Sequence, residues 1–542
     1  MTALDANTLA SLDKLLVPSQ RSDVPGYIVG VARHGRTVYR RATGLASLEQ
    51  AVANTPATRL RIASVTKQFT GLAVMLLVEE GLVDIDQPLN TYLTDLAGPN
   101  GRPTLRQLLN HTSGLRDALE SVAYFLTEGL FPQIPAGLTH QWSSRFSDSN
   151  FAPGESWSYS NYGYLLLSLV IEKVSGLSLA EFFRQRLFAP LGMVDSLLWP
   201  NDMHLLPGLA TSHIRLPDGR YRRGIYPCEE LVGGGGIVST VDDMLRWASN
   251  LREQRLGSAA SWAEILRKPR FNNGSEHNYG FGLKCQSHRG VELRWHDGST
   301  LGSKAALLCY PTEGLDIVVL ANRSDSEPGA IGIKIAELLL ADVLGPPKVD
   351  AEAAGCETLI GDYYSPEARR VFSIRPHQGK LLFAINANPE GLLREEDGGL
   401  GNDSSFGPVR VHPTASVDAI EVEFCGTCAS YRKLTASAPT ASELAPGLVG
   451  DYRLQDFSTP VQIVLDQGQL WVDLNSRYHP ARMQLTPVST EVCLCTVTVL
   501  GSPAQGTVTL ERGPDGAISG FFFSLQRTWN LYFQRHGAST PA

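Results

Sequence analysis

Ser64-Val-Thr-Lys67 runs directly into Gln68-Phe-Thr-Gly-Leu-Ala-Val-Met-Leu-Leu77, and the reading of this stretch decides what surrounds it. Its composition predicts a helix over Phe69 to Glu80. On a helix, a three-residue spacing sets the serine hydroxyl and the lysine amine on one face, separated by about 4.5 Å of rise, so the amine can hold or take the hydroxyl proton. The pattern S-x-x-K is weak alone and recurs as Ser11-Leu-Asp-Lys14. That copy lies where Leu4, Leu9, Leu12, Leu15 and Leu16 fall at helical intervals. It has no companion motif, so Ser11 is expected to be a surface position.

Two further motifs give Ser64 its context. Ser158-Tyr159-Ser160-Asn161 follows the turn Pro153-Gly-Glu155 and precedes an apolar helix expected over Tyr162 to Val174. A tyrosine beside an ammonium can accept a serine proton, and an asparagine amide can bind a substrate carbonyl while contacting the lysine. An aromatic and an Asn at a helix start are also ordinary packing and capping residues. Trp295-His296-Asp297-Gly298-Ser299 then leads into Lys304-Ala-Ala-Leu-Leu-Cys-Tyr-Pro311. Strand alternation puts His296 and Gly298 on one face, where a donor can point at a substrate while the glycine leaves room. His288-Arg-Gly290 and His377-Gln-Gly379 repeat the pattern but read as hairpin turns, which select glycine anyway.

The chain has 542 residues, 43% hydrophobic and 19% charged, which implies several folded cores. A net charge of -8 and the lack of Lys/Arg runs argue against nucleic acid or anionic lipid as a partner. No apolar run approaches the roughly 18 residues of a membrane helix, and the N-terminus lacks a basic start and apolar core, so a soluble cytoplasmic protein is expected. Of the eight cysteines only Cys425-Gly-Thr-Cys428 has redox or zinc-like spacing. Without a second ligand pair it reads as two ordinary thiols at a strand turn, and no metal is expected. Cys493-Leu-Cys495 places two thiols on one strand face, which suggests packing.

Three parts are expected: residues 1-346, 356-436 and 447-542, joined through Leu344 to Gly355 and Thr435 to Gly447, both rich in small residues and Pro. The first mixes helices with strands such as Tyr27 to Ala32 and Ile317 to Ala321, giving an α+β class. The other two show short alternating segments, among them Val371 to Ile374, Leu381 to Ile385, Gln462 to Leu465 and Phe521 to Leu525. They also repeat. Ile360-Gly-Asp-Tyr363 recurs as Val449-Gly-Asp-Tyr452, and Gln378-Gly-Lys-Leu381 as Gln467-Gly-Gln-Leu470, both offset by 89 positions. Two similar antiparallel β-barrels are therefore expected.

S-x-x-K, Y-x-N and H-x-G in this order resemble the serine β-lactamase and penicillin-binding-protein superfamily. Leu108-Leu-Asn-His-Thr-Ser-Gly-Leu115, Gly233-Gly-Gly-Gly-Ile-Val-Ser-Thr-Val-Asp-Asp-Met244 and Asp316-Ile-Val-Val-Leu-Ala-Asn322 extend the resemblance over most of residues 20 to 340. It implies an antiparallel sheet flanked by helices. The two added barrels make the chain most similar to the bacterial D-aminopeptidases, which release N-terminal D-residues from peptides, amides and esters. By that resemblance Ser64, Lys67, Tyr159 and His296 are the catalytic set. Asn161 orients Lys67 and the substrate, and Gly298 and Ser299 line the oxyanion side, with the Ser64 and Ser299 backbone N–H groups as donors. His296 is expected to donate to Tyr159 or to the substrate.

No cofactor is implied, the partner is a small peptide, amide or ester, and a homodimer is compatible with the barrels. A carboxylesterase or D,D-peptidase of the same superfamily is the alternative; a non-turnover penicillin-binding sensor is a third reading. D-Aminopeptidases carry an acidic residue for the substrate amine on a loop of the last barrel. The turn expected to correspond, Val499-Leu-Gly-Ser-Pro-Ala-Gln-Gly506, is short and has no acid, which leaves Asp117, Glu155 and Asp297 as candidates.

Overall fold

The computed structural model describes residues 4–16, 23–96, 98–117, 119–121, 133–386, 389–395, 399–404, 407–434, 438–457, 460–475, 480–499 and 502–536. The N-terminal part is built on a six-stranded antiparallel sheet. Its strands are β1 (Tyr27–Arg33), β2 (Arg36–Ala42), β3 (Lys284–His288), β4 (Val291–Thr300), β5 (Ser303–Tyr310) and β6 (Leu315–Ala321), in the spatial order β3-β4-β5-β6-β1-β2. All residues of β6 are buried, as a strand covered on both faces requires.

Alternation divides the sheet residues between two cores. Ile28, Ala305, Leu307, Val318 and Leu320 face a helical layer formed by α2 (Thr66–Glu79), α3 (Asn161–Ser175) and α4 (Val241–Glu253). Val29, Val31, Ala306, Leu308, Ile317 and Val319 face α1 (Ala6–Leu15) and α5 (Pro328–Leu339). The expected helices and strands are therefore present with small extensions at their ends. Ser11 lies on α1, a half-buried position on the layer across the sheet from Ser64. The Arg289-Gly290 and Gln378-Gly379 pairs are tight hairpin turns with both residues at positive φ, so the two decoy histidines end strands.

Two barrels follow. Strands from Gly361–Ser365 to Thr427–Lys433 make a nine-stranded antiparallel sheet whose two ends, Glu390–Gly391 and Leu393–Arg394, meet at Leu392, so it is nearly closed. Strands from Gly450–Leu454 to Leu531–Arg535 form a closed eight-stranded barrel. The sequence repeat is a structural one: Tyr363 and Tyr452 both turn their hydroxyls back onto carbonyls just upstream, Leu359 and Leu448. Gln378-Gly379 and Gln467-Gly468 occupy the same type of turn.

Both expected linkers contain structured residues, with residues 435–437 of the second outside those described. Ala351 is fully buried and exchanges backbone hydrogen bonds with Leu381 and Leu392, which pins the first to the barrel. Within the second, Ala441–Leu448 is a helix with a Thr440–Glu443 capping box, and Leu444, Ala445 and Leu448 plug the closed barrel. Its Pro446 disguised a helix as a loop. Cys425-Gly426 is a hairpin turn with Cys425 buried and Cys428 exposed; Cys493 and Cys495 both point into the barrel core. Among the described residues no helix is long and apolar enough to cross a membrane and no His/Cys/Asp/Glu group could hold a metal ion.

Candidate active site

Ser64 sits in a single 3-10 turn, Ala63–Val65, that feeds α2. Ala63 has φ of 46°, in the left-handed region that costs an L-residue energy, so the turn is held in a strained shape by its surroundings. Strand β4 supplies part of that hold. A Cβ on Gly298 would lie 2.2 Å from the Ile62 carbonyl oxygen and 3.1 Å from the Ser64 nitrogen, so only glycine lets the strand come this close to the nucleophile.

One helical turn on, Lys67 is completely buried. Its Nζ donates to Gly234 O at 2.6 Å and Asn161 Oδ1 at 2.8 Å, and lies 3.4 Å from Ser64 Oγ. The Gly-rich segment gives the first acceptor: Gly233 packs so closely on α3 that a Cβ would strike Ser168 Oγ at 2.2 Å. Burial pushes the Lys67 ammonium well below its ordinary pKa; Asp117 opposes this and Arg527 reinforces it. A neutral amine beside a serine hydroxyl is a proton acceptor.

Tyr159 lies on the extended approach to α3, its ring 4.7 Å from Lys67 Nζ. Its backbone neighbours are fixed by His111, which takes the Ser158 N–H on its carbonyl and the Ser160 N–H on Nδ1. The phenol oxygen is buried and has no settled hydrogen-bond partner among the described residues. Burial raises its pKa, and the nearby Ser64 hydroxyl pulls it down in part. The cap of α3 is Ser160; Asn161 is the first helical residue and is free to serve the site. Asp117 fixes it, accepting from the Asn161 backbone N–H at 2.9 Å and side-chain Nδ2 at 2.7 Å, which aims Oδ1 at Lys67.

His296 is buried on β4, where Tyr279 donates its hydroxyl to Nε2 at 2.8 Å and Nδ1 donates to the Asp297 carbonyl. Burial holds the imidazole below its usual pKa, hence neutral. With both ring nitrogens engaged, His296 does not make the expected donor contact to Tyr159, whose ring centroid is 6.3 Å away. It braces the wall through Tyr279. Asp297 and Ser299 occupy exposed alternate positions of β4.

The three acidic candidates separate. Asp117 is fully buried and committed to Asn161; Glu155 accepts the Ala152 N–H of its own exposed turn; Asp297 is exposed on β4. The turn expected to correspond to the acidic loop falls partly outside the described residues. Its flanks pair from Val492↔Thr509 to Val499↔Ser502, and Gln505 and Thr507 contact Ser373, Val371 and Asn386 of the first barrel. Leu500 and Gly501 lie outside the described residues. Among the described residues, the last-barrel segment 525–530 meets the catalytic part. Its Arg527 N–H donates to Glu120, its Trp529 carbonyl accepts from Arg116, and Asn150 bonds both the Arg527 carbonyl and the Trp529 N–H. Sequence reading missed Arg527 and Tyr279, neither of which lies in a motif with a chemical signature of its own. The first barrel also joins the wall: Ser156 donates to Cys425 O, and Cys425 packs with Trp157, Tyr159 and Tyr279.

A nucleophile turn closed by Gly298, with Lys67, Tyr159 and Asn161 converging on it, is the geometry the three motifs implied. Residues 12–342 match the family model described as Beta-lactamase. The chain belongs to that family. The D-aminopeptidase of Brucella melitensis is 31% identical over 68% of this chain and 69% of its own length. The D-aminopeptidase of Cereibacter sphaeroides is 27% identical over 92% of this chain and 93% of its own, a span that takes in both barrels. An octameric penicillin-binding protein homologue from Pyrococcus abyssi shares the fold, with a TM-score of 0.56 at 18% identity, over 98% of this chain and 100% of that one.

Proposed function

We propose that the chain is a serine hydrolase that releases N-terminal D-amino acids from small amides, esters and peptides through an acyl-enzyme on Ser64. The observation that carries the chemistry is Lys67 Nζ, fully buried and 3.4 Å from Ser64 Oγ, in an environment that favours its neutral form. Lys67 accepts the Ser64 proton as Oγ bonds to the substrate carbonyl carbon. The Ser64 and Ser299 N–H groups hold the developing oxyanion. Tyr159, with Lys67, passes the proton to the leaving nitrogen or oxygen as that bond breaks, and water then cleaves the ester to free the acid and restore Ser64. Asn161 keeps Lys67 in place, and the exposed Asp297 takes the substrate's free ammonium.

The choice of D-residues is supported by the relatives named D-aminopeptidase, which match up to 92% of this chain. None of the eight cysteines is in a disulfide among the described residues, in keeping with a reducing compartment and a cytoplasmic site of action. The test is a panel of D- and L-alanine amides, p-nitroanilides and N-acetylated analogues. Turnover confined to free-amine D-substrates and lost in Ser64→Ala is the expected result. Turnover of simple acyl esters alone would move the reading to a carboxylesterase, and stoichiometric acylation without a steady state to a sensor.

A further inference from the structure

We infer that Arg527, delivered from the last barrel, reads a carboxylate on the substrate close to the scissile bond; the inference rests on the D-amino-acid hydrolase reading and narrows its substrate class. The guanidinium carbon lies 4.7 Å from the centroid of the Tyr159 ring, so it faces the groups that handle the proton. The side chain is 26% exposed, and its nearest acid, Asp117 Oδ2, is 3.9 Å away. Asp117 is already spoken for, accepting from the Asn161 backbone and amide and from the Glu120 N–H. Among the described residues Arg527 makes no side-chain hydrogen bond, and its Nε is buried without a partner.

A guanidinium is a planar fork of five donors that matches a carboxylate in two bonds. With Asp117 at 3.9 Å and no hydrogen bond to its fork among the described residues, the guanidinium gains by pairing with an incoming anion. The backbone, by contrast, is fully held: Glu120, Asn150, Asp117 and Arg116 bond residues 527 and 529 from the catalytic side. Arg370 of the first barrel stacks 3.5 Å from the Trp529 ring centroid and props the loop from behind. A rigid loop presenting an unsatisfied fork is a preorganised anion site.

The carboxylate has two sources: an acidic D-side chain on the acyl half, or the free carboxylate of a leaving amino acid, as in a dipeptide. Two isosteric pairs separate them, D-aspartic acid α-amide against D-asparagine amide, and D-alanyl-D-alanine against its C-terminal amide. The wild type is expected to favour the anionic member of one pair by roughly 10- to 100-fold in kcat/KM, the size of one charge-assisted bond. Arg527→Gln is expected to bring that ratio to about one, and Arg527→Glu to invert it. Calorimetric binding of the same four compounds to Ser64→Ala gives the same ratio without turnover. If no D-amide is hydrolysed, the functional proposal fails while the binding ratio still decides Arg527. Equal kcat/KM and equal affinity within both pairs, or a preference that survives in Arg527→Gln, would overturn the inference.

Discussion

Burying the Lys67 amine with only partial counter-charge favours its neutral form, and this one residue links stability, pH and rate. Its folded pKa lies well below the 10.5 of a free lysine, so in the window between the two the unfolded chain binds more protons. Stability gained from this group therefore rises with pH across that window and is lost as pH falls through the folded value. Acylation of Ser64 by p-nitrophenyl acetate, a neutral probe, should rise with pH and level off well below pH 10.5. Asp117 is a positioning residue that also raises the Lys67 pKa. Asp117→Asn keeps an acceptor for Asn161 but removes the charge, so the acid limb of that pH profile should move to lower pH. A role in packing alone would leave the limb in place.

The elements show where sequence is informative and where it is not. Ser64, Lys67, Tyr159, Asn161 and Gly298 were legible because three motifs, each weak alone, stand in the order that resembles a known superfamily, and the structure brings all five together. The helix over Ala441–Leu448 was hidden because its capping box sits in a Ser/Thr/Pro-rich run that composition assigns to a loop. Arg527 and Tyr279 were hidden for another reason. Arg527 meets Glu120 across 407 positions, and Tyr279 meets His296 across 17 positions that span two strands, and no local period encodes either contact. At this scale the strand and the nucleophile turn can be tested through their closest contact. Gly298→Ala would push β4 off Ile62, costing about 1–3 kcal/mol as overpacking does. A lower melting temperature together with loss of the acyl-enzyme burst is the expected outcome, and a burst of wild-type size would contradict it.

For the whole molecule, the catalytic part and the last barrel share an interface with both apolar and polar contacts. Phe146 stands in the core cluster of the closed barrel, 5.1 Å centroid to centroid from Phe457. Glu120 is buried in the same junction, accepting the Arg527 N–H, and burial pushes its pKa up to about 7. An acid with a folded pKa above its unfolded 4.5 favours the folded state when protonated, and that contribution is lost as pH rises from about 4.5 to about 7. Glu120→Gln, which keeps the acceptor, should flatten this part of the stability curve by roughly 1–3 kcal/mol, measured by urea denaturation at pH 5 and pH 8. An unchanged curve would show that Glu120 titrates normally.

The Arg116 side chain is almost wholly buried, and its guanidinium bonds the carbonyl of Trp529, while Asn150 is buried between Ser158 and the same loop. During synthesis, residue 64 leaves the ribosome long before residue 527. Until the final hairpin arrives, Arg116 lacks one of its acceptors, and Asn150 has neither the carbonyl nor the N–H that it later bonds. A nascent chain can thus form the turn around Ser64 early, yet Arg116 and Asn150 gain these partners only once residues 527–529 have been made.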